Sequence, residues 1–185
     1  MVLDFDIEKT IAAVAYLAQK EDRDLDVFLT LKTLYVADKD ALIQWGKTVT
    51  GDSFVSMDNG PVPSTTYNLF KGEGPSSKQS VWDSAISARV NHTVHLLREV
   101  NLDVLSEREI EALESARLQI KSMPPWRIAR WLHDSCPEWQ DPHGSSIPID
   151  PNVILRSAGK TEEEIRQIEE ANYEINMLNQ LLRVR

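Results

Sequence analysis

The chain has 185 residues, a net charge of −9 and one cysteine, Cys136. A chain of this length can bury about 70% of its unfolded surface, so it can fold without disulfides or a structural metal. The negative charge argues against binding to a nucleic-acid backbone, which depends on clustered Lys and Arg. It is compatible with a basic protein partner, although acidity that only serves solubility is the simpler explanation.

The cysteine count and the hydropathy pattern indicate the compartment. A lone cysteine cannot form an internal disulfide and fits a reducing environment. The N-terminus carries acidic residues where a secretory signal would carry lysines, and no stretch approaches the ~20 apolar residues of a membrane span. We therefore expect a cytoplasmic protein without membrane or nucleic-acid partners.

Helical periodicity dominates the start of the chain. Apolar residues recur every three or four positions after Asp6, which predicts a first helix over residues 7–21. Asp26 is the predicted cap of a second helix, whose apolar stripe runs to Gly46. Asp38 interrupts that stripe with a carboxylate.

The sequence predicts a turn region after the second helix. Residues 47–57 alternate apolar and polar side chains around Gly51, which predicts a two-stranded hairpin. Gly60-Pro61-Val62-Pro63 predicts a sharp corner, because proline lacks the N–H that a strand or helix interior needs. Ser64 is the predicted cap of a short helix ending at Gly72, and residues 71–80 are polar enough to predict an exposed loop.

The second half alternates helices with loops. Residues 88–97 fit a short β element around Asn91 and His92, but also scan as a helix. A capping box at Ser106 and Glu109 begins a helix that stops at Pro124, and Pro125 begins the next helix. A loop over 140–150 and a brief helix from Asp150 follow. A capping box at Thr161 and Glu164 begins a last helix, which runs to about residue 182.

These elements predict a mainly α protein with a small β-hairpin. We expect one compact multi-helix domain over residues 1–160. Residues 161–185 form a long C-terminal helix that packs on the domain or at an interface. Its apolar seam of Ile165, Ile168, Ala171 and Ile175 suits its own core, a partner's groove or a second copy of the chain.

Asp38 is the residue most open to a chemical role. A buried carboxylate must find donors or a cation, since an unpaired charge shifts its pKa or destabilises the fold. The structural interpretation is that Asp38 accepts from backbone N–H groups of the following hairpin or from a nearby Lys or Arg. The alternative is a catalytic carboxylate. Lys32, Tyr35 and Lys39 fit either a polar partner-binding ridge or an ordinary solvated face.

The histidines carry little signal for metal or covalent chemistry. His92 and His95 have no accompanying Cys or acidic set, so no metal site is expected. His133 adjoins Asp134 and precedes Cys136, but adjacent helical side chains diverge and cannot form a relay. No nucleotide-binding or hydrolase motif is present, so we expect no cofactor.

The spacing of several of these residues resembles a known family. The first half carries Lys32-x-x-Tyr35-x-Ala37-Asp38, then Gly46-x-x-Val49-Thr50-Gly51-Asp52, then Gly60-Pro61-Val62 and Tyr67. The second half carries Leu105-Ser106-x-x-Glu109, Leu132-His133 and Trp139. Together, over about residues 7–155, they closely resemble the SocA-like Panacea antitoxin domain, which is frequently phage-associated.

The resemblance implies a helical antitoxin of a two-gene toxin–antitoxin system that neutralises a cognate toxin by direct contact. A family member that delivers its toxin to a protease gives the alternative of a proteolytic adaptor. The resemblance assigns no catalytic role to the signature residues. A third alternative, an enzyme with a hydrolytic site near Asp38 and His133, has little sequence support. The sequence leaves the oligomeric state open.

Overall fold

Helices dominate the computed structural model, which describes residues 1, 3–21 and 24–183. The helices are α1 (Ile7–Gln19), α2 (Val27–Trp45), α3 (Ser64–Lys71), α4 (Ser76–Asp83), α5 (Glu107–Lys121), α6 (Pro125–Ser135), α7 (Pro151–Ser157) and α8 (Glu162–Arg183). The strands are β1 (Asp24–Asp26), β2 (Phe54–Ser56), β3 (Val62–Pro63), β4 (Thr93–His95) and β5 (Ile147–Ile149). The predicted fold class, mainly α with a small β element, is confirmed. The last two residues of the predicted C-terminal segment, 184–185, lie outside the described residues.

Helices α1 and α2 form the centre of the molecule. Every residue of α1 from Thr10 to Ala18 is buried, and α2 is buried continuously over residues 30–38. A helix that is buried on all sides lies in the core rather than on the surface. Helix α2 packs most extensively against α5. The remaining elements surround α1 and α2.

Most predicted helix ends are confirmed by hydrogen bonds. The side chain of Asp6 accepts from the N–H groups of Glu8 and Lys9, which begins α1. Gly46 ends α2 in the left-handed conformation, with φ of 76°. Four further ends occur as predicted: the Ser106–Glu109 box, Pro125 at the first turn of α6, the Asp150 cap and the Thr161–Glu164 box.

The predicted hairpin around Gly51 is wrong. Strand β2 pairs with β3, so the observed hairpin turns through residues 57–61. β2 also pairs with β5, giving an antiparallel sheet of order β3-β2-β5. Residues 48–50 instead form a loop, because the N–H groups of Val49 and Thr50 bond to the Asp38 side chain.

Two segments predicted as loops contain regular structure. Helix α4 begins at Ser76 inside the predicted loop 71–80, since the fixed φ of Pro75 suits a helix start. Strand β5 lies inside the predicted loop 140–150 and places Pro148 opposite Val55. Proline is tolerated there because β5 is an edge strand of the sheet.

The β element predicted over residues 88–97 is present, but its main partner was not expected. Asn91 takes a positive φ of 57° in the turn, and only an isolated bridge joins Val90 to Thr93. Strand β4 pairs instead with β1, which immediately precedes α2. The two-stranded sheet thus joins the start of α2 to a segment about 70 residues later in the chain.

Candidate functional site

The polar residues of α2 point into the protein. Lys32, Tyr35 and Asp38 are all buried. Lys32 and Tyr35 therefore do not form an exposed ridge with Lys39, as the sequence allowed. Lys39 retains partial exposure at the edge of the buried row. The row faces three other segments: the loop 48–52, the turn at Gly60 and Pro61, and the end of α6 with the residues that follow it.

Lys32 fastens α2 to the Gly60–Pro61 corner. Its Nζ donates to the carbonyl oxygens of Gly60, at 2.8 Å, and Pro61, at 3.0 Å. Burial lowers the pKa of this ammonium to about 7. The ring of Phe28 lies 5.4 Å from Nζ and adds a favourable cation–π contact.

Gly60 allows this corner to approach Lys32. Its φ is +90°, and a Cβ built there would lie 3.2 Å from Leu132 and 3.6 Å from the Lys32 Nζ. Pro61 and Val62 beside it are buried, and Val62 pairs with Val55 in the sheet. A side chain at position 60 would therefore crowd both α2 and α6.

Asp38 binds the loop after α2. Its carboxylate accepts from the N–H groups of Val49, at 2.8 Å, and Thr50, at 2.9 Å, and from the Thr50 hydroxyl. The backbone N–H donors predicted for Asp38 are thus present, although they belong to a loop and not to the predicted hairpin. Burial raises the pKa of this carboxyl to about 7, although the bonds from Thr50 and Val49 act in the opposite direction.

Asp52 is the hydrogen-bond acceptor at the start of helix α3. Its side chain accepts from the N–H groups of Thr65, at 2.9 Å, and Thr66, at 2.7 Å. The prediction that Ser64 caps α3 is wrong: Ser64 is the first helical residue, and Pro63 before it supplies no side-chain bond. Asp52 provides the acceptor because the loop brings it to the helix end.

Gly51 lets the N-terminal segment pass close to this loop. Its φ is +69°, and a Cβ there would lie 1.9 Å from the Asp4 carbonyl oxygen. The neighbouring Thr50 carbonyl accepts from the Asp6 N–H at 2.9 Å. No side chain fits at position 51 unless the backbone moves.

A buried acidic residue, Glu138, completes the row and was missed from the sequence. It accepts a hydrogen bond from the Tyr35 hydroxyl, and its Oε1 lies 2.7 Å from the Lys39 Nζ. Lys39 Nζ also lies 3.4 Å from the Cys136 Sγ. The signal was present in the spacing of Tyr35 and Lys39, because residues four apart on a helix can reach the same group.

The groups around Glu138 are buried away from solvent. Burial raises the pKa of Tyr35 well above its usual range and the pKa of Cys136 to about 11. The second Glu138 oxygen is buried and has no hydrogen-bond partner among the described residues. Cys136 is consequently a thiol of low reactivity, since the thiolate is the nucleophilic form.

His133 on α6 and Trp139 in the segment after it pack beside the site. Their rings stack with centroids 3.7 Å apart, and Trp139 Nε1 donates to the Met57 carbonyl at 2.9 Å. Tyr67 lies half-buried on α3, where the Lys71 Nζ approaches its ring to 5.3 Å.

The described residues contain neither a metal-binding cluster nor a membrane-spanning helix. His92 and His95 are exposed, and residues 1, 3–21 and 24–183 contain no group of three or more His, Cys, Asp or Glu placed to hold a metal ion. Within the same described ranges, no helix is both long and apolar enough to cross a membrane.

The C-terminal helix divides into two parts. Ile165 is buried, and Ile168 packs against Gly46, where a Cβ would lie 3.1 Å from the isoleucine. Asn172 donates to the Gly46 carbonyl at 2.7 Å. Ala171 and Ile175 are exposed, so the predicted seam is half core and half surface.

The site is thus a helical scaffold in which buried polar groups of α2 hold three separate segments. A family model described as "Antitoxin SocA-like, Panacea domain" matches residues 31–140. The matched range begins just before Lys32, ends just after Trp139 and covers more than half of the 185 residues. The chain belongs to the SocA-like Panacea antitoxin family. No curated protein and no solved structure matched the chain.

Proposed function

We propose that the protein is an antitoxin that neutralises a cognate toxin by binding it directly in the cytoplasm. The family match over residues 31–140 carries this proposal. It supports an antitoxin role in general, and direct contact is our finer assignment. The lone Cys136, buried and without a disulfide, is compatible with a reducing compartment.

The arrangement of the signature residues favours binding over catalysis. The carboxylates of Asp38 and Asp52 both accept hydrogen bonds from the chain itself. Asp38 is fully buried, and its partners lie in the loop after α2, whereas His133 stacks on Trp139. A hydrolytic site shared by Asp38 and His133 therefore gains no support from these contacts.

Some of the candidate partner-binding residues suit this role better than others. Ile165 is buried and Lys39 is paired with Glu138, so neither offers a free contact surface. Ile168 is partly covered by its packing on Gly46. Ala171 and Ile175 are exposed and remain candidates.

Co-expression with the product of the adjacent reading frame tests the proposal. We expect that product alone to stop growth, and this protein to restore growth and to co-purify with it. Growth that is not restored, or restored without a complex, contradicts neutralisation by direct binding.

The same cells distinguish the two alternatives. A toxin level that falls only when both this protein and a cytoplasmic protease are present indicates a proteolytic adaptor. An enzyme predicts that Asp38→Asn and His133→Ala each abolish protection while folding is unchanged. We expect protection to survive wherever the variant remains folded.

A further inference from the structure

The outer part of α8 exposes a row of large apolar side chains. Tyr173, Met177 and Leu181 recur every four residues and are 67%, 43% and 65% exposed. We call these three residues the outer stripe. The buried core reaches α8 only through Ile165, with Ile168 packed against it, among the described residues. Exposed apolar rows of this kind mark interaction surfaces more often than isolated exposed side chains do.

Acidic residues border the outer stripe. With 3.6 residues per turn, Glu170 and Glu174 lie along one side of it, whereas Glu169, four residues before Tyr173, continues its line and pairs with the Met1 amino group. Tyr173 and Met177 also line a groove with Leu3 and Asp4 of the N-terminal segment. Between Thr161 and Leu178 the chain has six glutamates and a single arginine. The face is therefore apolar along its middle and negative along one edge.

We propose that the outer stripe binds a cationic amphipathic segment of a protein partner. The partner's apolar side chains would cover Tyr173, Met177 and Leu181, and its Lys or Arg residues would face the bordering glutamates. This inference rests on the proposed function, in which the partner is the toxin. Tyr and Met suit such a contact, since both are enriched in interface cores.

Charge argues against a second copy of the chain as the occupant. Two α8 helices packed in parallel along their outer stripes would bring Glu170 and Glu174 of each close to the same residues of the other, and like charges oppose association. A basic partner removes this difficulty.

The test measures binding of the purified adjacent-gene product to the full-length protein. Tyr173→Ser combined with Met177→Ser should weaken binding at least tenfold, because interface energy concentrates in a few large side chains. Leu118→Ser on α5 is the matched control, since Leu118 is 55% exposed and lies on another helix. Glu170→Gln with Glu174→Gln should weaken binding several-fold and reduce its salt dependence.

The outcomes separate this inference from the proposed function. Wild-type binding that the stripe variant leaves unchanged, with circular dichroism showing native helix content, overturns the inference alone. A wild-type dimer that the stripe variant dissolves assigns the face to a second copy and also overturns it. If the wild-type protein does not bind the adjacent-gene product, the proposed function fails and the inference fails with it.

Discussion

Helices α2 and α8 are of similar length and break the usual rule of burial in opposite directions. Helix α2 buries Lys32 and Asp38, whereas α8 exposes Tyr173 and Leu181. The buried polar groups are each matched to donors or acceptors in one particular segment, so they specify how the chain folds. The exposed apolar side chains of α8 are not paired with particular residues in this way and are free to contact another molecule. The predictions below test this division, from the largest expected effect to the smallest.

Gly51→Ala should cause the largest loss of stability. Its Cβ would lie 1.9 Å from the Asp4 carbonyl oxygen, so the backbone must move. We expect a decrease of about 3 kcal/mol or more in the free energy of unfolding, from the clash added to the strain of a positive φ. Chemical denaturation measures it.

Gly72→Ala is the matched control, because its φ is +76° and nothing lies within 4 Å of the added Cβ. It should cost only about 1–2 kcal/mol, the strain of the left-handed conformation alone. Equal losses at both positions would show that the approach of Asp4 to Gly51 does not limit stability.

Asp38→Ala should come next, at about 3 kcal/mol. It leaves the buried N–H groups of Val49 and Thr50 without acceptors, and each such loss costs about 1–3 kcal/mol. Asp38→Asn keeps one oxygen for these donors and should cost clearly less. Similar losses for the two variants would contradict the role of Asp38 as an acceptor for the loop.

The same residue predicts a pH dependence. The pKa of Asp38 is raised from 3.8 unfolded to about 7 folded, so the folded state binds more protons between these values. The stability due to its proton is complete below pH 3.8 and is lost as the pH rises through 7. The loss is at most roughly 4 kcal/mol.

Asp38→Asn removes this titration while leaving the other acidic groups unchanged. The difference between wild-type and Asp38→Asn unfolding free energies should therefore shift against the wild type from pH 4 to pH 7. A constant difference over that range would show that Asp38 titrates as an ordinary carboxyl.

Changes to the outer stripe should have the smallest effect on stability. Tyr173→Ser with Met177→Ser should alter the free energy of unfolding by less than about 0.5 kcal/mol per site, because both side chains are exposed. Ile165→Ala, on the buried side of the same helix, should cost about 2–5 kcal/mol. A large loss from the serine variant would mean that the stripe packs on the protein itself.

Local signals predicted the helices well, because caps and glycine stops depend on a few neighbouring residues. Asp6, Gly46 and the Ser106–Glu109 box behave as their positions indicate. The prediction of a hairpin failed because a residue outside the segment competes for its N–H groups. Alternation over 47–57 is a local pattern, but the Asp38 carboxylate takes the N–H groups that a ladder would have used.

The sequence did not predict which residues distant in the chain contact the site. A carboxylate inside the α2 stripe indicated that donors must exist, and the loop that follows provides them. Nothing local connects Tyr35 with Glu138, which is 103 positions away, or β1 with β4. Burial reversed the expectation for Lys32, because its neighbours along the helix do not reveal the carbonyls of Gly60 and Pro61.

The hydrogen bonds of Asp38 and Asp52 join residues that are close in the chain, and this affects the order of folding. Asp38 bonds to residues 11 and 12 positions away, and Asp52 to residues 13 and 14 positions away. Closing such small loops costs less chain entropy than bringing Glu138 to Tyr35. Residues 26–72 are therefore suited to form an early folding nucleus, onto which the distant Glu138 docks afterwards.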